Sequence, residues 1–156
     1  MSVQVFNLRD VELEQFDEGP DGHRFALNSV ARGLGATLTG LTVYEVEPGQ
    51  ATWPYHFELN EEEWLLVIDG ELTVRTPAGE QVLRAGDLVC FPVGADGAHA
   101  VRNDSAATVR FAMPSSVAAL GDACVYPDTG TFKLAGPGFY HRGRLGDSLD
   151  YWEGVT

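Results

Sequence analysis

Apolar positions in this chain recur at every second residue over short runs, and the runs are separated by Gly, Pro, Asn and Asp. Alternation at that period marks half-buried strands. Val3 to Leu8 alternates weakly and reads as an edge strand, and an acidic polar stretch from Leu13 ends in the turn Pro20-Asp21-Gly22. Phe25 to Val30 reads as another short strand. Gly33-Leu34-Gly35 then breaks the chain before the Thr-, Val- and Leu-rich run Thr37 to Glu47. Glu62 to Ile68 places Glu63, Leu65 and Val67 on one face and Trp64, Leu66 and Ile68 on the other, so both faces are expected to be buried. Asp69-Gly70 predicts a hairpin from that strand to Glu71–Thr76. Leu88–Phe91, His99–Asn103 and Thr108–Met113 complete a series of short strands whose turn spacing predicts an all-β sandwich or barrel. Ser115 to Ala123 reads as a short helical turn. The segment from Cys124 to Thr156 has no clear period, but its aromatics predict an ordered segment packed on the barrel or on a second subunit.

The length of 156 residues fits one domain over 1–156, with a core at about 37–113 and a C-terminal extension at 114–156. Ten basic against 23 acidic residues give a formal charge of −13. That charge repels phosphate backbones and anionic lipid, so neither nucleic acid nor a membrane is an expected partner. No basic start followed by an apolar run opens the chain, and Cys90 and Cys124 form no CxxC pair. A cytoplasmic protein with two reduced cysteines is the expectation, with Cys90 a small core residue.

The chemistry concentrates in two stretches. In the first, His56 and Glu58 stand two apart on extended chain and share a face, and Glu63 follows after a bend. In the second, His99 opens a separate strand. Two imidazoles and one or two carboxylates converging in a barrel suit a borderline divalent ion: Fe, Mn, Ni, Co or Zn. The competing reading has two unrelated histidines and exposed loop acids. Trp53, Tyr55 and Phe57 are candidate pocket-lining residues, against the alternative of core packing. His23 and His141 read as surface residues.

Gly49, His56-x-Glu58, Glu63 and Gly70 resemble the first cupin motif. Gly86, Pro92-x-Gly94, His99 and Asn103 resemble the second. The resemblance implies an all-β fold, a double-stranded β-helix (jelly-roll) barrel, here with extra N- and C-terminal segments. It also places metal ligands on His56, Glu63 and His99, with Glu58 where the family has its second histidine. Bound to all four, a divalent ion would reach zero net charge and be a weaker Lewis acid. With Glu58 turned away, a 2-His-1-carboxylate set would remain. With no metal, Glu58 and Glu63 would repel and one would hold a proton.

Two functions follow as expectations. One is a metal-dependent enzyme, a dioxygenase, decarboxylase or isomerase acting on a small polar organic molecule, with Glu58 and Glu63 as catalytic carboxylates. The other is a small-molecule-binding module without turnover, metal-free in one version. A homodimer is expected because Trp64, Leu66 and Ile68 need a cover that a barrel does not supply, and cupins commonly pair.

Overall fold

In the computed structural model, residues 4–117, 121–146 and 149–154 are described. Their strands are β1 (Glu14–Phe16), β2 (Phe25–Ser29), β3 (Thr39–Val46), β4 (Phe57–Glu58), β5 (Glu63–Asp69), β6 (Glu71–Thr76) and β7 (Gly79–Arg84). These are followed by β8 (Leu88–Phe91), β9 (Ala100–Arg102), β10 (Val109–Ser116), β11 (Asp122–Tyr126), β12 (Thr131–Gly136) and β13 (Phe139–Arg144). A single helical turn, α1 (Val30–Gly33), and a 3-10 turn at Ala95–Gly97 complete the list.

The strands form antiparallel sheets in the orders β1-β2-β3-β10-β5-β8, β7-β6-β9 and β13-β12-β11-β4. The first two face each other across one core, built from the inward residues of alternating strands. Val46, Leu65, Val67, Val109 and Phe111 come from the large sheet, and Leu72, Val74, Leu83 and Val101 from the small one. This is the mostly-β architecture expected from the alternation, arranged as the jelly-roll that the resemblance implies.

Several local expectations are corrected. Asp69-Gly70 is not a hairpin turn, because β5 pairs with β10 and β8 while β6 pairs with β7 and β9. Gly70, at φ 81°, is instead a corner where the chain leaves one sheet for the other. A Cβ built there would stand 3.1 Å from the Thr108 carbonyl oxygen, so both the backbone angle and the close approach favour glycine. The helical turn expected over Ser115–Ala123 is also absent among the described residues. Strand β10 runs through Ser116 and β11 starts at Asp122, while positions 118–120 lie outside the described residues. Positions 4–8 form no strand.

The outer face of β5 is covered differently from the expectation. The N-terminal segment and α1 lay Val11 and Val30 over Val43 and Ala112, with Leu8, Leu13, Leu41 and Ile68 packed around them. Arg110 fastens this segment by donating to the backbone oxygens of Leu8 and Val11 at 2.9 and 3.1 Å while paired with Glu45 at 2.8 Å. Ile68 is thus covered by its own chain, whereas Trp64 remains 37% exposed. Cys90, opposite Trp64, is half-buried, and both cysteines are free.

The third sheet is attached to the rest through β4. Cys124 and Val125 pair with Glu58 and Phe57, so the C-terminal segment is an ordered three-strand extension built onto the stretch that carries His56 and Glu58.

Candidate metal centre and ligand cavity

His56 and His99 are tied together by their backbones. The His56 N–H donates to the His99 oxygen at 3.0 Å, and the His99 N–H donates back at 2.8 Å. Their rings lie 4.7 Å apart, and His99 stacks on Phe91 at 3.7 Å. Each Nδ1 donates to a backbone oxygen two residues earlier, that of Pro54 at 2.7 Å and that of Gly97 at 2.9 Å. These bonds assign the neutral tautomer and leave the Nε2 lone pairs free. Burial pushes both imidazoles down, His99 to about 3 with the help of neighbouring His56. Both rings are therefore neutral donors across the physiological range.

Glu63 opens β5 and turns inward, with Oε2 3.5 Å from His99 Nε2 and 3.8 Å from His56 Nε2. Glu58 Oε1 lies 3.8 Å from His56 Nε2. Burial pushes the Glu63 carboxyl up to about 7, with Glu61 and Asp122 adding to the effect. Burial likewise pushes Glu58 up to about 8, followed by Asp122 and Glu63. Glu58 Oε2, Glu63 Oε2 and His99 Nε2 are buried without a hydrogen-bond partner. Orphaned acceptors and lone pairs facing one another are costly unless a cation sits between them. The donor set fits a divalent ion: His56, Glu63 and His99 present ligating atoms within 4.8 Å of one another. Glu58 stands outside that trio, in a second grouping with His56 and Cys124.

The cavity above this centre is about 550 Å³, within the usual range for small-molecule sites. Trp53 lines it, donating from Nε1 to the Tyr44 hydroxyl at 3.3 Å. Tyr55 and Phe57 do not line it. They alternate with His56 and Glu58 on extended chain, so once the latter pair points inward the former must point out. Tyr55 lies under the Arg75 guanidinium, 4.0 Å away. His23 lines the cavity rather than the outer surface, its Nδ1 bonded to the Thr52 oxygen. His141 does not line it, since the alternation of β13 gives that face to Tyr140 and Arg142.

Sequence reasoning missed the roof of the cavity. Asp122 and Tyr126 from β11, Lys133 from β12, and Tyr140 and Arg142 from β13 all line it. The one signal lies in β12, where Thr131 and Lys133 share one face and Phe132 and Leu134 the other, between the Pro127-Asp128 and Gly136-Pro137-Gly138 turns. A polar face of this kind reads equally as solvated surface, because a cavity wall and a wet surface are both polar. Lys133 pairs with Asp122 at 2.5 Å. Burial opposes its charge, but the Asp122 hydrogen bond prevails and holds the ammonium protonated.

Comparison with known proteins identifies the central stretch. Residues 42–114 match the model of the cupin domain. That stretch is a cupin domain. A structure of a candidate sugar phosphate isomerase from Acidithiobacillus ferrooxidans is similar to this cupin with a TM-score of 0.81 at 22% identity, over 92% of this chain and 91% of that one. A sugar phosphate isomerase from Silicibacter pomeroyi gives a TM-score of 0.81 at 20% identity, over 95% and 98%. The polyketide cyclase RemF of Streptomyces resistomycificus gives 0.61 at 22% identity, over 74% and 80%. At these identities the likenesses establish the fold. The first two extend it well beyond residues 42–114, into the terminal segments. No curated protein matches the sequence. Among the described residues no helix is long and apolar enough to cross a membrane.

Proposed function

We propose that this cupin holds a divalent metal ion on His56, Glu63 and His99 and isomerises a small polyhydroxy carbonyl compound, with Glu58 carrying the proton. The observation behind the reading is the convergence of two unprotonated Nε2 atoms on a buried carboxylate, with one oxygen of a second carboxyl beside them left without a hydrogen-bond partner. A bound ion would polarise a carbonyl or hydroxyl oxygen of the substrate. Moving a hydrogen between adjacent carbons then needs one group that takes a proton and returns it. Glu58 suits that task because burial raises its carboxyl to about 8, so its ionised form is a stronger base than an ordinary glutamate and its acid form can return the proton near neutral pH. The surrounding walls, Trp53 and Tyr44 on one side and the C-terminal sheet on the other, keep the reacting end out of bulk water. The full-length likeness to two proteins named as sugar phosphate isomerases supports isomerisation over the dioxygenase and decarboxylase alternatives.

Metal analysis of protein purified without chelator tests the centre: stoichiometric metal is expected in the parent and none in His99→Ala. Turnover is tested by incubating aldoses and ketoses in D₂O and following carbon-bound deuterium by NMR. Exchange that disappears in Glu58→Gln, with metal retained, supports the assignment. Oxygen uptake or CO₂ release would replace isomerisation by the other reactions, and binding without exchange across the panel would favour a non-catalytic module. We further propose that the outer strip formed by Trp64, Leu66 and Leu88 seats a second copy of the chain. Sedimentation of Trp64→Glu as a monomer beside a dimeric parent would support this. The two free cysteines fit a reducing, cytoplasmic setting.

A further inference from the structure

The C-terminal sheet carries an arrangement that the metal centre does not use. Glu58 of β4 is the cross-strand partner of Cys124 in β11, Cys124 of Lys133 in β12, and Lys133 of Arg142 in β13. Cross-strand partners share a face. The row therefore runs from the carboxyl at the metal centre, over a buried thiol, to two cations on the same cavity wall, and Glu58, Lys133 and Arg142 all line that cavity.

Lys133 and Arg142 stand directly opposite each other on adjacent strands, a placement that like charges disfavour. Asp122 offsets one of them by pairing with Lys133. Arg142 makes no ion pair among the described residues; its guanidinium sits 5.0 Å over the ring of Tyr126. This occurs in a chain where acids outnumber bases 23 to 10 and where Arg75, Arg102 and Arg110 each hold a carboxylate. Arg142 over the Tyr126 ring and Lys133 directly opposite Arg142 belong to one part of the cavity wall. An arginine without a carboxylate beside a lysine and a tyrosine hydroxyl is a donor set for an oxyanion.

We infer that Lys133 and Arg142, with Tyr126 beside them, form the binding site for an anionic group, phosphate or carboxylate, on the wall of the cavity built by the C-terminal sheet. The substrate class becomes a short polyhydroxy carbonyl compound with one anionic end. The carbonyl end reaches toward Glu58 and the histidines, and the anionic end is clamped by the C-terminal sheet. This deepens the reading of the cavity as a substrate site, but the clamp itself does not depend on a metal.

The test uses full-length protein stripped of metal, so that failure of the metal reading leaves its readout intact. Inorganic phosphate is titrated calorimetrically into the parent, Arg142→Gln and Lys133→Gln. Arg142 is exposed, so its variant is expected to keep the parent's melting temperature. Parent binding in about the millimolar range or tighter is expected, weakened roughly tenfold in Arg142→Gln and similarly in Lys133→Gln. A parent that binds no phosphate, or an Arg142→Gln variant that binds it as tightly as the parent, would overturn the assignment. A second arm titrates a hexose phosphate, the corresponding aldonate and the free hexose. Preference for the first identifies a phosphate site, preference for the second a carboxylate site, and equal binding of the free hexose also overturns the clamp.

Discussion

The central β-sandwich and the C-terminal sheet are both antiparallel, yet they are held by different means. Strand β10 is flanked on both sides, by β3 and β5, and its Val109, Phe111 and Ala112 are buried. Strand β13 pairs on one side with β12, and Phe139 and Tyr140 stand 54% and 66% exposed. The first region is stabilised by apolar burial. The second hangs on a two-residue ladder at β4 and on polar contacts, and it lines a cavity instead of filling one. A small fold that must both close a core and keep a polar-walled cavity open separates the two tasks. The sandwich aims two histidines and a glutamate at a fixed point, and the appended sheet supplies polar side chains above it. The seam between them runs through Glu58.

The contrast breaks most visibly in core truncations. Phe111 is fully buried and stacks on Tyr44 at 5.1 Å, so Phe111→Ala is expected to cost about 3–5 kcal/mol. Leu134 in β12 is 38% exposed, and Leu134→Ala is expected to cost less than about 1 kcal/mol. Denaturant unfolding measures both, and comparable losses would mean that the appended sheet has a core of its own.

This difference also decides how much of the molecule was legible in the sequence. The sandwich strands could be read because burying one face of a sheet forces a period of two in hydrophobicity. His56 and Glu58 were legible as a pair because residues two apart on extended chain share a face, whereas Glu63 and His99 joined them through the resemblance to the two cupin motifs. The same rule excludes Tyr55 and Phe57 from the cavity. Asp69-Gly70 misled because a tight turn satisfies its own backbone equally well at a hairpin and at a corner between sheets. The roof residues escaped because Asp122, Lys133 and Arg142 are single polar positions among mixed neighbours such as Val125, Phe132 and Leu134. Their partners are a cavity and solvent, and no hydrophobic signal marks either. The cover over Ile68 escaped for a related reason: the N-terminal segment that supplies it is irregular chain.

At the seam, metal-free protein is expected to lose stability as pH rises above neutrality. Glu58 and Glu63 are raised to about 8 and about 7 in the folded state. Their contribution is complete below the ordinary glutamate value and is lost as pH climbs through those higher values. The buried imidazoles work in the opposite sense. His99 is lowered to about 3 and His56 is lowered as well, so their contribution is present above the ordinary histidine value and lost as pH falls. The two sets offset each other between about pH 4.5 and 6.5, and the glutamates act alone above that range. Stability of chelator-treated protein should fall by on the order of 2 kcal/mol between about pH 6.5 and 8. Adding metal should flatten this dependence, because a bound ion holds Glu63 ionised. A stability that rises over this range in metal-free protein would mean that the two glutamates are ionised and compensated by other groups.

One side chain at the seam gives the sharpest test of whether the two regions are separately held. Asn60 clips the C-terminal sheet to the sandwich. Its side-chain N–H donates to the Gly121 oxygen at 2.5 Å, and its side-chain oxygen accepts from the Ala123 N–H at 3.2 Å. The backbone bond from Leu59 N–H to the Ala123 oxygen, at 2.7 Å, lies between them. Asn60→Ala removes two bonds at an exposed position, where water can replace the lost partners, and about 1 kcal/mol is the expected cost. That cost should fall on one region. Amide hydrogen exchange is expected to quicken at Cys124, Val125 and Lys133 and to stay unchanged at Val67 and Phe111, because local opening draws only on the contacts that are broken. The cavity roof would loosen with it, so phosphate affinity should weaken while metal stoichiometry stays at the parent value. Uniform acceleration across both regions would show that the two sheets unfold as one unit, and the division of labour drawn from their burial would then not hold.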